Sequence, residues 1–356
     1  MDEQKAQDLL NQRGYGITDI RMFPFGANRD VFEATREDGT PIIARFVKEG
    51  KHRDAQYNGL ISLERDANMY ALAGKAGLPT PSVLGYHDVE GIPFLVVEKL
   101  PGKHWKTFVE GNNYSLEAYL RSLEFLGQDV AKAHAVVLPS YGDMLSANCL
   151  QPAGIKNFAE RLDHIFALKL AKAETVLPTG EFARVKQYFA EGVRAVSAQL
   201  EEGNGYKPVL VLTNLHPMNF LVDEQGKPSG YPDLEFSQAG VPALEMYNMG
   251  LQLFSYFDKP TFNLAEEAFF KGYTLAGGVY DRENSTNKQL EALLCGGHAL
   301  SSVTFYQGAK DGLRDNWSAE FKDILFKVMG TGEMDYVAFA DVIRQKTQQP
   351  NQPTRP

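Results

Sequence analysis

The rhythm of apolar and polar positions changes near residue 100. Before it, short runs rich in β-branched and aromatic residues alternate with turn signals. Ile20–Phe25, Val31–Thr35, Ile42–Val47, Val83–Tyr86 and Pro93–Glu98 read as strands. Glu37-Asp38-Gly39 marks a hairpin turn ahead of the third of them. Leu63, Ala67, Tyr70, Ala71 and Leu72 recur near the 3.6-residue period and predict a helix over about 61–76, which Gly77-Leu78-Pro79-Thr80-Pro81 stops. Residues 1–100 therefore read as a small α+β lobe of five strands and one helix.

After the punctuation at Leu100-Pro101-Gly102 the helical period dominates. Helices are expected at about 116–136, 156–173, 180–201, 245–257, 262–276, 286–306, 317–329 and 336–346. A short β-like island interrupts them between Pro208 and Phe236. It holds apolar runs at Val209–Leu212 and Phe220–Val222, a turn at Glu224-Gln225-Gly226 and a third strand near Gly230–Asp233. Residues 101–345 read as one larger, mainly helical lobe. The last stretch, 346–356, is polar and proline-rich and is expected to be a disordered tail.

Composition narrows the function classes. The 356 residues are long enough for two or three compact units and a large core. Two cysteines, Cys149 and Cys295, exclude a disulfide framework and a four-cysteine zinc module. A formal net charge of −9 argues against a nucleic-acid binder, which needs a basic face. No run approaches the roughly 18 apolar residues that span a membrane, and the charged start lacks the apolar core of a signal peptide. A cytoplasmic protein with neither membrane nor nucleic-acid partner is expected.

The island is where chemistry is expected, because polar residues there sit at the ends of apolar strands. Asn219 stands just before one strand and Asp233 ends the next, fourteen residues later. If the two strands pair as a hairpin, an amide oxygen and a carboxylate converge. A hard divalent cation accepts a few such oxygens and completes its shell with water or phosphate. Asn214 faces the same space from the preceding loop. The arrangement matches the catalytic loop and metal-binding segment of kinase-type phosphotransferases.

The segment Leu212-Thr213-Asn214-Leu215-His216-Pro217-Met218-Asn219, followed by Pro232-Asp233-Leu234-Glu235 and Gly240-Val-Pro-Ala-Leu-Glu245, resembles the aminoglycoside phosphotransferase and choline-kinase-like family. That family usually reads His-Gly-Asp-Leu-His-Pro-x-Asn, then Ile-Asp-Trp-Glu, then Gly-Asp-Pro-Ala-x-Asp. The likeness extends over residues 20–260. It implies a two-lobed, protein-kinase-like α+β fold with a nucleotide-binding N-lobe. It also implies transfer of a phosphoryl group from ATP or GTP, with Mg²⁺, to a hydroxyl of a small molecule. By the same resemblance, Gly26 and Asn28 belong to the loop over the phosphates. Arg45 orients the phosphates and Asp66 orients Arg45, with Glu64 the alternative if the helix register is shifted. Glu98, Lys99 and Leu100 form the hinge that binds the base. Asn219 and Asp233 hold the metal, and Glu245 supports the loop or contacts the acceptor.

Asn214 departs from the family, which places Asp there to accept the proton of the acceptor hydroxyl. An amide oxygen can orient a hydroxyl but cannot take its proton at neutral pH. The substitution admits three readings: a deliberate, inactivating Asp→Asn change that traps a substrate complex, a natural loss of catalysis, or another base such as Glu235 or Glu245. The first-choice function is a small-molecule kinase acting on an antibiotic such as an aminoglycoside, or on a metabolite. The alternative is a catalytically silent nucleotide-binding scaffold. A protein kinase is disfavoured because Asp-Phe-Gly and Ala-Pro-Glu segments are missing. From residue 101 onward acidic residues outnumber basic ones 30 to 24, which mildly favours a cationic acceptor. His216 reads as a brace of the loop and His134 as a core histidine. Cys295 reads as an inert thiol, and the Phe254–Phe270 aromatic group as core.

Overall fold

The computed structural model describes the chain except residues 24–28, 49–61, 114, 147–148, 152–154, 203–205, 308–312 and 348–356. The chain opens with helix α1 (Glu3–Gln12), started by Asp2, whose side chain accepts from the Lys5 N–H at 2.8 Å. Strands β1 (Ile17–Phe23), β2 (Arg29–Arg36) and β3 (Pro41–Val47) follow, then helix α2 (Leu63–Lys75) and strands β4 (Val83–Val89) and β5 (Ile92–Glu98). The five strands make one antiparallel sheet in the order β1-β2-β3-β5-β4.

Alternation along these strands decides which side chains meet the rest of the molecule. Phe32, Ala34, Ile42, Ala44, Phe46, Phe94 and Val96 face one way and pack against Ala6, Leu9 and Leu10 of α1. The intervening residues, Arg29, Val31, Glu33, Ile43, Arg45, Leu95 and Val97, therefore face the other way. On that side Leu95 and Val97 join the main core with Leu63, Met69, Tyr70 and Ala73 of α2. Two arginines are thus carried on the inner face of the sheet, among Val31, Ile43, Leu95 and Val97 and on the same face as Glu33.

The larger lobe begins with strand β6 (Lys103–His104) and helices α3 (Trp105–Gly111) and α4 (Leu116–His134). Next come strands β7 (Gly142–Ser146) and β8 (Cys149–Gln151) and helices α5 (Phe158–Glu174) and α6 (Thr179–Glu202). The island supplies β9 (Val209–Val211), β10 (Leu221–Val222), β11 (Pro228–Gly230) and β12 (Gln238–Gly240). Helices α7 (Pro242–Gln252), α8 (Lys259–Leu275), α9 (Ser285–Tyr306), α10 (Leu313–Thr331) and α11 (Tyr336–Thr347) complete it. Two small sheets, β11-β10-β6 and β8-β7-β12-β9, are set among these helices.

This is a two-lobed α+β fold, with a five-stranded N-lobe sheet beside α2 and a mainly helical C-lobe. Helix α1, short α3 and strands β6, β7, β8 and β12 are additions to the expected elements. The expected strand at Gly230–Asp233 is shifted to Pro228–Gly230. The reason is local: the Tyr231 N–H leaves the hairpin to bond the Pro79 carbonyl at 2.9 Å, and Pro232 has no N–H to give. The helix expected at 245–257 starts three residues earlier, at Pro242, and ends at Gln252, ahead of a 3₁₀ turn at Phe254–Tyr256. Most of the expected tail lies outside the described residues, as do Gly26 and Asn28. No helix among the described residues is long and apolar enough to cross a membrane.

Candidate active site at the lobe junction

The hairpin inferred from the island forms. Leu221 pairs with Gly230 and Val222 with Pro228, so Asn219 precedes one strand and Asp233 follows the other at the same end. The loop before it, residues 212–219, alternates. Leu212, Thr213, Leu215, Pro217 and Phe220 are buried, while Asn214, His216, Met218 and Asn219 are half-exposed. Apolar anchors thus pull every second residue or so inward and leave the polar ones on the rim.

Backbone and side-chain hydrogen bonds hold this loop in an uncommon shape. Thr213 and Asn214 both have positive φ, +41° and +47°. The Asn214 carbonyl accepts from the His216 N–H at 2.7 Å and from the Asn219 amide nitrogen at 2.9 Å. The Thr213 hydroxyl donates to the Phe236 carbonyl at 2.5 Å, and the Ser237 hydroxyl to the Leu212 carbonyl at 3.1 Å. Glu245, fully buried on the first turn of α7, accepts from the Leu212 N–H at 2.5 Å and the Thr213 N–H at 3.3 Å. Burial pushes the Glu245 carboxyl up to about 7 despite those two donors. Glu245 thus stands beneath the loop, bonded to its backbone. His216 braces the same loop, its Nδ1 accepting from the Met218 N–H at 3.3 Å.

Above Asp233 lies a cluster of buried charges. Asp66 on α2, 1% exposed, places Oδ2 3.3 Å from Arg45 and 3.0 Å from Arg29. Four residues on, Tyr70 occupies the same helix face, and its hydroxyl accepts from Arg45 and donates to the Pro232 carbonyl. Arg45 also donates to that carbonyl at 3.1 Å. Arg29 forms an ion pair with Glu235, across the two lobes. Glu64 is exposed, so the structure brings Asp66 and not Glu64 to the arginines. Burial opposes the Arg45 charge, yet Tyr70, Asp66, Asp233 and Glu235 hold its pKa above the ordinary value. Burial raises Asp66, against Arg45 and Arg29, and burial together with Asp233 raises Glu235.

Arg29 and Arg45 pair with Asp66 and Glu235 here, and no ion pair among the described residues reaches Asp233. Asp233 Oδ1 is buried with no hydrogen-bond partner among the described residues. Such an orphaned carboxylate oxygen is costly unless something else occupies it. Asn219 has spent its amide nitrogen on Asn214, which leaves its oxygen as the acceptor end. Two oxygen donors of this kind suit a magnesium ion that keeps water and phosphate oxygens as its other ligands. Among the described residues no group of three or more His, Cys, Asp and Glu side chains offers an all-protein alternative.

At the expected hinge, the Glu98 N–H is already committed to the Ser82 carbonyl at 2.9 Å. Lys99 is tied to Glu33 of the inner sheet face at 2.7 Å. Leu100 packs onto Gly230 of the hairpin, where an added Cβ would lie 2.6 Å from its side chain. Residues 98–100 therefore touch both the sheet and the hairpin that carry the polar cluster. A surface groove of about 550 Å³ lined by Glu267, Phe270, Lys271 and Arg282 lies on α8, apart from this cluster.

Comparison with known proteins decides the family. The profile described as the phosphotransferase enzyme family matches residues 19–283. The chain belongs to that family. Its fold recurs in solved structures of low sequence similarity. A mutant aminoglycoside 2′-phosphotransferase IIIa in its GDP complex shares 13% identity at a TM-score of 0.60, over 93% of this chain and 98% of that one. A putative fructosamine-3-kinase from Thermobifida fusca gives 16%, 0.57, and 90% and 98% coverage. An ethanolamine kinase from Plasmodium vivax gives 10%, 0.52, and 97% and 85%. The curated proteins contain no match.

Arg29, Tyr70 and Arg65 are buried polar members of this region that motif spacing did not single out. Arg29 was within reach of strand alternation, since it shares the parity of Val31 and directly follows the expected phosphate loop. The helical period marks Tyr70 only as an apolar member of its helix, and its hydroxyl is what joins the site.

Proposed function

We propose that this protein transfers the terminal phosphoryl group of ATP or GTP to a hydroxyl of a small molecule, in the cleft between its lobes. The observation that carries the proposal is the unpartnered Asp233 Oδ1 beneath the Arg29–Arg45–Asp66 cluster. A bound Mg²⁺ would supply charge neutralisation between the Asp233 and Asn219 oxygens and the phosphates. Arg45 orients the phosphates and Asp66 fixes Arg45. Residues Glu98–Leu100 border the purine.

In the transfer the acceptor oxygen forms a bond to the terminal phosphorus as the bond to the bridging oxygen breaks. The nucleoside diphosphate leaves, and the hydroxyl proton passes to solvent or to the transferred phosphate. Asn214 orients the hydroxyl through its amide. Phosphoryl transfer depends mainly on positioning and charge, so the step survives an amide here but runs roughly 10²–10⁴ slower than with a carboxylate. The acceptor class is a hydroxylated antibiotic or metabolite, with a mild preference for cations from the acidic excess beyond the hinge.

A second reading is favoured by Asn214 itself: a protein that binds Mg²⁺-nucleotide and does not turn it over. Both readings require the metal site. Titration calorimetry with Mg²⁺ and a non-hydrolysable ATP analogue is expected to show binding that Asp233→Ala weakens by about tenfold or more. Asp233→Ala is the cleaner probe, because Asn219→Ala also frees the Asn214 carbonyl. Unchanged affinity in both variants sinks the kinase-type assignment. Asn214→Asp, assayed against a panel of hydroxylated antibiotics and metabolites, then separates the readings. A transferase gains turnover; a silent binder gains none.

A further inference from the structure

Arg65 stands next to Asp66 on α2, 1% exposed, and points elsewhere. Adjacent helical residues diverge by about 100°. While Asp66 meets Arg45 and Arg29 of its own lobe, Arg65 crosses to the other. Its Nε donates to the Met144 carbonyl of β7 and its Nη2 to the Ser237 carbonyl at 2.6 Å. Ser237 stands four residues beyond Asp233. Its N–H bonds the Leu234 carbonyl and its hydroxyl the Leu212 carbonyl, each at 3.1 Å. One continuous set of hydrogen bonds therefore joins α2 to the segment after Asp233 and to the start of the loop that carries Asn214.

This contact is costly. Burial pulls the Arg65 pKa down, and Nη1 has no hydrogen-bond partner among the described residues. If only volume were required, an aliphatic side chain would fill the place at lower cost. A guanidinium offers something an aliphatic residue lacks: donors in a rigid fork, able to fix two carbonyls in set directions at once.

We propose that Arg65 is a positioning residue that docks α2 on the C-lobe and so holds Asp66, Arg45 and Arg29 over Asp233 before nucleotide arrives. The inference rests on the reading of the cleft as a Mg²⁺-nucleotide site. A helix that swung freely would assemble the Arg45–Asp66 pair only on binding. Here the pair is built in advance, and the cost of assembling it is met by folding.

The test uses the full chain, with Arg65→Met and Arg65→Lys beside the wild type. Calorimetry measures the Mg²⁺-bound ATP analogue and, separately, adenosine, which lacks phosphates. Hydrogen exchange reads the α2 amides without ligand. Arg65→Met is expected to weaken the analogue by about tenfold or more and adenosine by less than about threefold, because only the phosphate end depends on α2. The α2 amides are expected to exchange about tenfold faster, and Arg65→Lys, with no fork, to fall between. The proposal is overturned if analogue and adenosine weaken by the same factor, or if affinity and exchange both stay at the wild-type level. If Arg65→Met does not fold, Arg65→Lys carries the same expectations. If neither folds, Arg65 is a general core element and the proposal fails. A wild type that binds no nucleotide sinks the functional reading alone, and the exchange rates still decide whether Arg65 docks the helix.

Discussion

Thr213 is a β-branched residue at φ +41°, where such a side chain crowds its own backbone. Conformations of this kind cost about 1–3 kcal/mol and persist only when neighbours over-determine them. The neighbours are on hand: Glu245 takes the Thr213 N–H, and the Thr213 hydroxyl bonds the Phe236 carbonyl. The resembling family has glycine at this place, which adopts positive φ without strain. Thr213→Gly therefore exchanges relief of strain against a lost hydroxyl bond and a freer unfolded chain, and is expected to change stability by less than about 1 kcal/mol. Thr213→Val keeps the strain and deletes the bond, and is expected to cost about 1–3 kcal/mol. Urea unfolding of the two variants checks the order; a valine variant as stable as the glycine one would show that the hydroxyl holds nothing. The departure from glycine was visible in the sequence. Its compensation was not, because Phe236 and Glu245 lie 23 and 32 residues away and meet Thr213 only in the fold.

Helices α4 and α8 approach until side chains no longer separate them. A Cβ on Gly127 would lie 2.1 Å from the Phe269 carbonyl oxygen, and one on Gly272 would lie 1.8 Å from that of Glu124. Both obstacles are backbone of a regular helix and cannot swing aside. Gly272→Ala is therefore expected to force the helices apart at a cost of about 3 kcal/mol or more, against the roughly 1 kcal/mol that alanine gains over glycine in a free helix. Gly111→Ala, with nothing within 4 Å, is the control and is expected to change stability by less than about 1 kcal/mol. A loss in chemical denaturation no larger for Gly272→Ala than for the control would contradict the close approach. At this scale much was legible. Each long C-lobe helix announces itself by its 3.6-residue period, and the five N-lobe strands by their β-branched runs. Short elements were not. Strands β6 and β10 have two residues each and β12 three, too few for any period, and they exist because tertiary pairing supplies their partners. Helix α1 shows only Ala6, Leu9 and Leu10 as buried apolar positions, a face too narrow to stand out in a polar segment.

Across the whole molecule, burial of titratable groups makes stability depend on pH in two opposed directions. Burial lifts Glu245 beside the loop and Glu291 between α9 and its tyrosine partners from 4.5 to about 7. Asp66 and Glu235 at the lobe junction are raised as well, again by burial first. A carboxyl raised in this way binds more protons folded than unfolded. Its contribution is fully present below the unfolded value and is lost as pH rises through the folded one. Burial moves the core histidines the other way: His134 falls to about 3 and His298 to about 4, from 6.5. Each stays neutral in the fold while the unfolded chain takes a proton, so stability is lost as pH falls below 6.5. Between about pH 4.5 and 6.5 the two sets oppose each other and the profile is expected to be shallow. Above 6.5 the raised carboxyls still lose protons in the fold and stability is expected to decline to about pH 7.5, where Lys169, lowered by burial to about 8, begins to oppose them. Replacing Glu245 and Glu291 together by glutamine removes up to about 3 kcal/mol of that dependence per residue and leaves Asp66 and Glu235 at the lobe junction to oppose the histidines. The double variant should then decline less than the wild type from pH 6.5 to 7.5 and lose more stability than the wild type from pH 6.5 to 4, as read by urea midpoints at half-unit intervals. If the wild-type and variant profiles run parallel above pH 6.5, the two buried carboxyls do not titrate in the fold as their surroundings require.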